Sequence, residues 1–474
     1  MVNNVIEGFL LDVHVSSSGH GMTAWIISHN GQAHRCMCPW RPTLHVSGQL
    51  QHLQHLHDWL LQPEIRHRFD ISEVRYMRAR LDLEEYEIHE VLEVEVTKSS
   101  MLRRVGQHIE HRGNFTQFTL YSLDANLVQR FLHERGAQLF DWVQWDDGIL
   151  TGVDNKHDAL PKLRALELRV QFDGAHHFET QSTPLASIEF HPLRYEEDFI
   201  ESVLERPLII NLHTFTSVQA ALKQVQIVMH RLNPDVVCTQ NGDKTVLPAL
   251  LFHAKVNDVI LRLGRDDTPL KAKTQARTVW SYGQVLRKNA YHPLRGRLHL
   301  DIASSFIVRE GGIAGLIELS RLSNQSAQDI SRLSPGSVIS SIQIRTAMDD
   351  GVLVPWKKNR PEDTKTALEL LHSDRGGLYL DSTPGTFHDV IELDFASLFP
   401  SIIATRNISS ETLNCPCCFL DSRCSNTSFL PLNPSLARDE IHRRAMEEQF
   451  GSGLFPQATF CTSSPRTSVI HMWS

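Results

Sequence analysis

The run Val390-Ile-Glu-Leu-Asp394-Phe-Ala-Ser-Leu-Phe399-Pro-Ser-Ile402 sets one carboxylate at the end of a short apolar stretch, with a second apolar stretch beyond it. This pattern predicts a strand that carries Asp394 into a turn, and a helix that opens directly after the turn. Pro400 suits the first turn of that helix, where its missing N–H costs nothing. A helix N-terminus offers unpaired backbone donors to anionic oxygens. A carboxylate beside it can ligate a divalent cation, so the pair is equipped to grip a nucleoside triphosphate for phosphoryl transfer.

The same run resembles the first catalytic motif of family B DNA polymerases, which reads Asp-x-x-Ser-Leu-Tyr-Pro-Ser-Ile. Each fixed position matches except the Tyr, where this chain has Phe399. The resemblance implies that Asp394 is one of two carboxylates holding a pair of Mg²⁺ ions about 4 Å apart. It assigns the backbone of Phe395, Ala396, Ser397, Leu398 and Phe399 to cradling the triphosphate. The ring at Phe399 would lie under the sugar and exclude a ribose 2′-OH. Replacing Tyr by Phe removes a hydrogen bond and keeps that bulk.

Elements upstream must position this site, and 474 residues exceed what one hydrophobic core supports. The expected class is α+β with α/β, in several domains. Residues 1–158 read as a β-rich N-terminal domain. Within it, Phe9–Val15 and Met22–Ser28 are strands joined through Gly19 and Gly21. Pro42–Val46 resembles the edge of the family's N-terminal domain, and Leu120–Gly136 looks like its closing helix. His52, His55 and His57 fall in a surface helix.

Residues 159–350 read as a ribonuclease-H-like 3′–5′ exonuclease domain. Leu163–Val170 has a buried-strand pattern, and Leu222, Val225, Met229 and Leu232 keep helical spacing before a short strand after Pro234. The start of a polymerase palm occupies 351–420, and 421–474 is a tail without resemblance to the family.

The exonuclease resemblance fails at its chemistry. Such a site needs about four convergent acidic ligands for two metals. The family's Asp-x-Glu pair becomes Glu167 and Arg169, and a guanidinium repels a cation. The family's Asn-x-x-x-Phe-Asp motif appears as Asn241-Gly-Asp-Lys-Thr-Val246, with Val246 at the Asp position. None of the seven Tyr residues has an Asp four positions on, as the third motif requires. Asp243 reads as a turn cap beside Gly242. The pattern resembles the archaeal branch of the family whose exonuclease site is degenerate.

The family also requires a fingers helix with Lys-x-x-x-Asn-Ser-x-Tyr-Gly and a second Asp-x-Asp motif, and this sequence has neither. Met348-Asp-Asp-Gly351 reads as a turn. The expectation is the N-terminal part of a DNA-directed DNA polymerase, inactive alone. Its partners would be primer-template DNA, dNTPs and a separate C-terminal polypeptide. The alternative is a non-catalytic DNA-binding or assembly subunit of a split polymerase.

Cys415, Cys417, Cys418 and Cys424 raise a Zn²⁺ site, but Cys-x-Cys-Cys lacks paired Cys-x-x-Cys arms, and reduced thiols fit better. A net charge of −8 confines any DNA-binding surface to a local basic patch, for which Arg103, Arg104 and Arg112 are candidates. No apolar run reaches the ~20 residues of a membrane span. Met1-Val-Asn-Asn-Val-Ile-Glu lacks the basic start of an export signal, so the expected location is cytoplasmic, at the nucleoid.

Overall fold

A computed structural model of the chain describes residues 5–82, 87–153, 162–174, 181–193, 199–281, 284–357, 366–368, 383–395 and 397–405. Its contacts divide into two units, Met1–Tyr76 with Leu92–Asp349, and Met77–Val91 with Asp350–Ser474. Among the described residues, most of the regular structure lies in the first.

The first unit begins with an antiparallel meander, β1 (Ile6–Val15), β2 (Met22–Ser28) and β3 (Ala33–Cys38). Gly19 and Gly21 both take φ 76° in the β1–β2 turn, a left-handed conformation that residues with a Cβ resist. Next come β4 (Thr43–Gly48), α1 (Leu50–Leu60), α2 (Pro63–Phe69), β5 (Ile71–Arg80), β6 (Ile88–Val96), α3 (Leu102–Arg112) and β7 (Phe118–Tyr121). They form a four-stranded sheet in the order β5-β6-β4-β7, a β-α-β-β-α-β arrangement. β4 is therefore an inner strand of this sheet.

The helix expected from Leu120 starts only at Leu127, as α4 (Leu127–Glu134). Leu120 and Tyr121 instead pair with Val46 and His45 in the sheet. Asn126 supplies the start, its side-chain oxygen accepting from the Val128 N–H at 2.9 Å. Gly136, at φ 57°, follows the end as anticipated. β8 (Trp142–Asp146) and β9 (Ile149–Gly152) return to the first sheet, giving β3-β2-β1-β8-β9.

A mixed sheet follows. β10 (Leu163–Phe172), β11 (Leu185–His191), β12 (Ile200–Ser202) and β13 (Leu208–Asn211) precede α5 (Val218–Leu232). After β14 (Val236–Thr239) and α6 (Leu247–Val256), a hairpin of β15 (Arg277–Ser281) and β16 (Gln284–Lys288) leads to β17 (Leu298–Asp301). The order is β13-β11-β10-β14-β17, antiparallel through β10 and parallel from there to β17. Ser217 caps α5 by accepting from the Ala220 N–H, and Asn233 ends it at φ 45°. Ala221, Leu222, Val225 and Met229 form the buried stripe of α5, packed with Leu166, Leu168, Val237 and Leu250. Each such Leu or Val contributes about 1.5–3 kcal/mol on full burial.

The unit closes with α7 (Phe306–Ser323), α8 (Ala327–Ile330) and α9 (Pro335–Asp349). In the second unit, α10 spans Leu398–Thr405. No described helix is long and apolar enough to cross a membrane.

Asp12 lies beside the bulge in β1 and is 2% exposed. Its Oδ2 accepts from Gln328 Nε2 at 3.1 Å. Burial raises its carboxyl to about 7, and a hydrogen bond from Ser326 only partly opposes this. The folded state therefore keeps a proton that the unfolded chain loses above its ordinary value of 3.8. The associated stability is full below that value and falls as pH rises toward 7. Asp12→Asn should abolish this loss. The expected gain is on the order of a few kcal/mol over wild type at pH 8, and little at pH 4, in urea titrations.

Candidate functional site

Asp394 ends an extended, solvent-exposed segment. Residues 390–395 form no strand, so the expected β-delivery of the carboxylate is corrected to an irregular one. An isolated apolar run gains no ladder hydrogen bonds, and none of these residues pairs with a described strand. The turn and the helix are where the spacing put them. Ser397 takes φ 49°, and α10 begins at Leu398 with Pro400 in its first turn.

Asp394 Oδ1 accepts from the Phe395 N–H at 2.8 Å. That bond anchors the carboxylate through one oxygen, which suits a monodentate ligand to a hard cation otherwise held by water and phosphate oxygens. Phe395, Leu398 and Phe399 are all exposed, Phe399 at 77%. Ala396 lies outside the described residues, as do Cys415, Cys417, Cys418 and Cys424.

The exonuclease positions form a different picture in the mixed sheet. Glu167 is buried on β10, and its Oε2 accepts from Arg169 Nη2 at 2.7 Å. The two positions of the expected Asp-x-Glu pair thus neutralise one another. Glu167 registers with Cys238, whereas Leu168 registers with Thr239 and Thr239 with Asp301. Side chains alternate across a strand, so Glu167 faces the side of the sheet opposite Thr239 and Asp301. Val246 is buried in the apolar core beside Leu247 and Leu250.

Asp243 is not the turn cap beside Gly242 expected from sequence. It is 3% exposed, and its carboxylate is bound by residues distant in sequence and not by its own turn. Its Oδ1 accepts from the His292 N–H at 2.9 Å and lies 3.2 Å from His292 Nδ1, while its Oδ2 accepts from Arg332 Nε at 2.8 Å. The Asp243 N–H donates to Asp301 Oδ2 at 3.1 Å. Burial pushes the Asp243 carboxyl up, but the hydrogen bond from His292 and the Arg332 charge outweigh it and hold the group well below its ordinary range.

His299, fully buried, is driven down to about 3 by burial and by the Arg332 charge, so it is a neutral imidazole. Arg332 Nη2 lies 2.9 Å from His299 Nδ1. The same Nδ1 lies 2.9 Å from the His292 carbonyl, so a donor-only and an acceptor-only group meet at one ring nitrogen, while Nε2 lies 2.9 Å from Thr239 Oγ1. Arg332, His292, His299 and Asp301 were not singled out from sequence. They lie 49 to 89 residues from Asp243 and share no motif with it. The Leu298-His-Leu-Asp301 strand end was the available signal.

Gly242 fits this cluster tightly. A Cβ there would overlap Thr239 Oγ1 and come within 2.7 Å of His299 Nε2. Gly242→Ala should therefore destabilise the first unit by about 1–3 kcal/mol, read as a lower urea midpoint at unchanged m-value. Among the described residues no group of three or more His, Cys, Asp or Glu is placed to hold a metal ion.

Comparison with known proteins bears on this arrangement. Residues 335–428 match the family model described as DNA polymerase family B. The chain is 25% identical over 250 residues to DNA polymerase 1 of Pyrococcus abyssi, covering 42% of this chain and 31% of that protein. It is 30% identical over 239 residues to a DNA polymerase of Desulfurococcus sp. (strain Tok), covering 41% and 30%. A DNA polymerase of Thermococcus gorgonarius is 32% identical over 136 residues, covering 28% and 16%. The matched part thus spans less than a third of these relatives' length. The fold is similar to that of the family B DNA polymerase from Pyrobaculum calidifontis, with a TM-score of 0.63 at 16% identity. That likeness covers 87% of this chain and 58% of the solved one.

Proposed function

Because the chain is family B DNA polymerase-like, we propose that it supplies the N-terminal, exonuclease-like and opening palm parts of a DNA-directed DNA polymerase. The observation that carries this reading is Asp394, anchored at the turn into α10, inside the segment that matches the family model. Asp394 would hold one ligand position of Mg²⁺, and Phe395 to Phe399 would line the triphosphate. When bound, Mg²⁺ offsets charge on the transferring phosphoryl group. The chain's own contributions are to orient Asp394 through the Phe395 N–H and to present the Phe399 ring to the sugar.

The exonuclease-like domain is assigned a non-cutting role. Glu167 is tied to Arg169 and Asp243 to Arg332, so the carboxylates that could have ligated metals are held by guanidiniums. The sequence carries no Asp-x-Asp motif after Asp394, so the second carboxylate would come from another polypeptide or segment. The experiment is primer extension with Mg²⁺ and four dNTPs. The 474-residue chain alone should extend nothing, and it should extend primers when mixed with a family B polypeptide bearing the fingers and the second carboxylate motif. Failure of the mixture to extend, or shortening of single-stranded DNA by the chain alone, would refute the respective half of the assignment.

A further inference from the structure

A cavity of about 730 Å³ opens in the first unit between β1, residues 123–128, 264–273 and 291–295, and α8. That volume is typical of a small-molecule site. Asp12 lines it from β1. Gln328 donates to Oδ2 of this carboxyl, whereas Oδ1 is buried with no hydrogen-bond partner among the described residues. A buried acceptor left unpaired is costly, and an occupant that donates to it removes the cost. Most other charges of the wall are already matched. Asp329 accepts from Lys273 Nζ at 2.8 Å, and Asp266 accepts from Thr268 Oγ1 at 2.7 Å with Arg295 Nη1 4.0 Å away. The Tyr291 ring has Lys273 on it at 5.4 Å and Arg332 at 4.6 Å. His14 is a neutral imidazole, donating from Nδ1 to the Val15 carbonyl and accepting at Nε2 from Trp25, and burial holds it below its ordinary value. Asp124 differs. It lines the same cavity, is exposed, and has no ion pair among the described residues.

The cavity thus offers one buried carboxyl, one exposed carboxylate, and apolar wall from Leu127, Pro269, Leu270, Pro293 and Leu294. A bare metal ion is a poor match, since among the described residues no three ligating side chains come together. An organic cation is a good one. Ammonium groups donate charge-assisted hydrogen bonds to carboxylates, and a methylene stem covers apolar surface. We propose that this cavity binds a short linear aliphatic diamine, with one ammonium on Asp12 and the other on Asp124. The bound cation favours the ionised form of Asp12, so a proton leaves to solvent as the ligand enters. Lys271, also on the wall, is exposed, and solvent and salt screen its repulsion of the ligand.

The test is isothermal titration calorimetry of the full chain with putrescine, with n-butylamine as the single-ammonium control and n-butanol as the uncharged one. Burial raises the Asp12 carboxyl to about 7 while the amines stay charged, so affinity should rise about tenfold from pH 6 to pH 8. At pH 7 about half a proton should be released per ligand, read from the heats in two buffers of different ionisation enthalpy. Asp12→Asn should bind putrescine at least about tenfold more weakly at pH 8 and release no proton. The same variant is expected above to be the more stable one at that pH, so weak binding would not reflect unfolding. Asp124→Asn should bring putrescine down to the affinity of n-butylamine and leave n-butylamine itself unchanged. No binding by the wild type, equal binding of n-butanol, or full affinity in Asp12→Asn would overturn the site. None of these readouts uses primer extension, so the site and the polymerase reading fail separately.

Discussion

Arg332→Met should destabilise the first unit by about 3–5 kcal/mol, because it strands a buried carboxylate. Asp243 is 3% exposed, and Arg332 Nε is the cationic donor on its Oδ2. Arg332 also donates through Nη1 to the His299 carbonyl at 2.6 Å and to that of Gln328 at 3.0 Å. Removing it leaves three acceptors short of a donor at once. A second change, Asp243→Asn, removes the uncompensated charge. The double variant should therefore recover part of the loss, with a coupling of about 0.5–3 kcal/mol in a double-mutant cycle.

Acid dependence provides an independent signature. The Asp243 carboxyl is held below its ordinary value, so the stability it contributes is present above about 4 and is lost as pH falls further. Without Arg332 that loss should begin at higher pH. Urea midpoints at pH 3, 5 and 7 for the wild type and Arg332→Met would read this directly. Equal pH profiles would show that Arg332 does not set the state of Asp243.

Asp394→Ala should reduce primer extension by at least about 1000-fold in the complemented assay, since loss of a metal ligand costs several kcal/mol of transition-state stabilisation. Asp394→Asn should lose nearly as much, because an amide oxygen carries no charge to set against the cation. The change removes an exposed side chain, so melting of the chain should not shift. A fall in rate with unchanged melting locates the effect in chemistry. Phe399→Ala should spare deoxynucleotide addition far more than Asp394→Ala, and its readout is increased ribonucleotide incorporation.

Much of the mixed sheet was legible because its signal is local. Leu163–Val170 and the Leu222, Val225, Met229 spacing follow directly from periods of buried strand and amphipathic helix. The turn at Ser397 and the helix after it follow from the motif and from Pro400. The strand before Asp394 was misread because apolar composition does not supply a pairing partner. The helix expected from Leu120 was overextended for the converse reason. Leu120 and Tyr121 have helix-compatible neighbours, yet pairing with β4 claims them. The Asp243 cluster was illegible because Arg332, 89 residues away, reaches it only through folding. The Arg169 substitution was readable as a loss of metal chemistry, whereas its bond to Glu167 needed coordinates.

The guanidinium of Arg332 cannot be dialysed away. Where another protein might brace a buried carboxylate with an exchangeable ion, this chain braces Asp243 with an atom of its own covalent structure. Thermal unfolding of the first unit should consequently be indifferent to EDTA, and preparations from stripped and from magnesium-rich buffers should melt together.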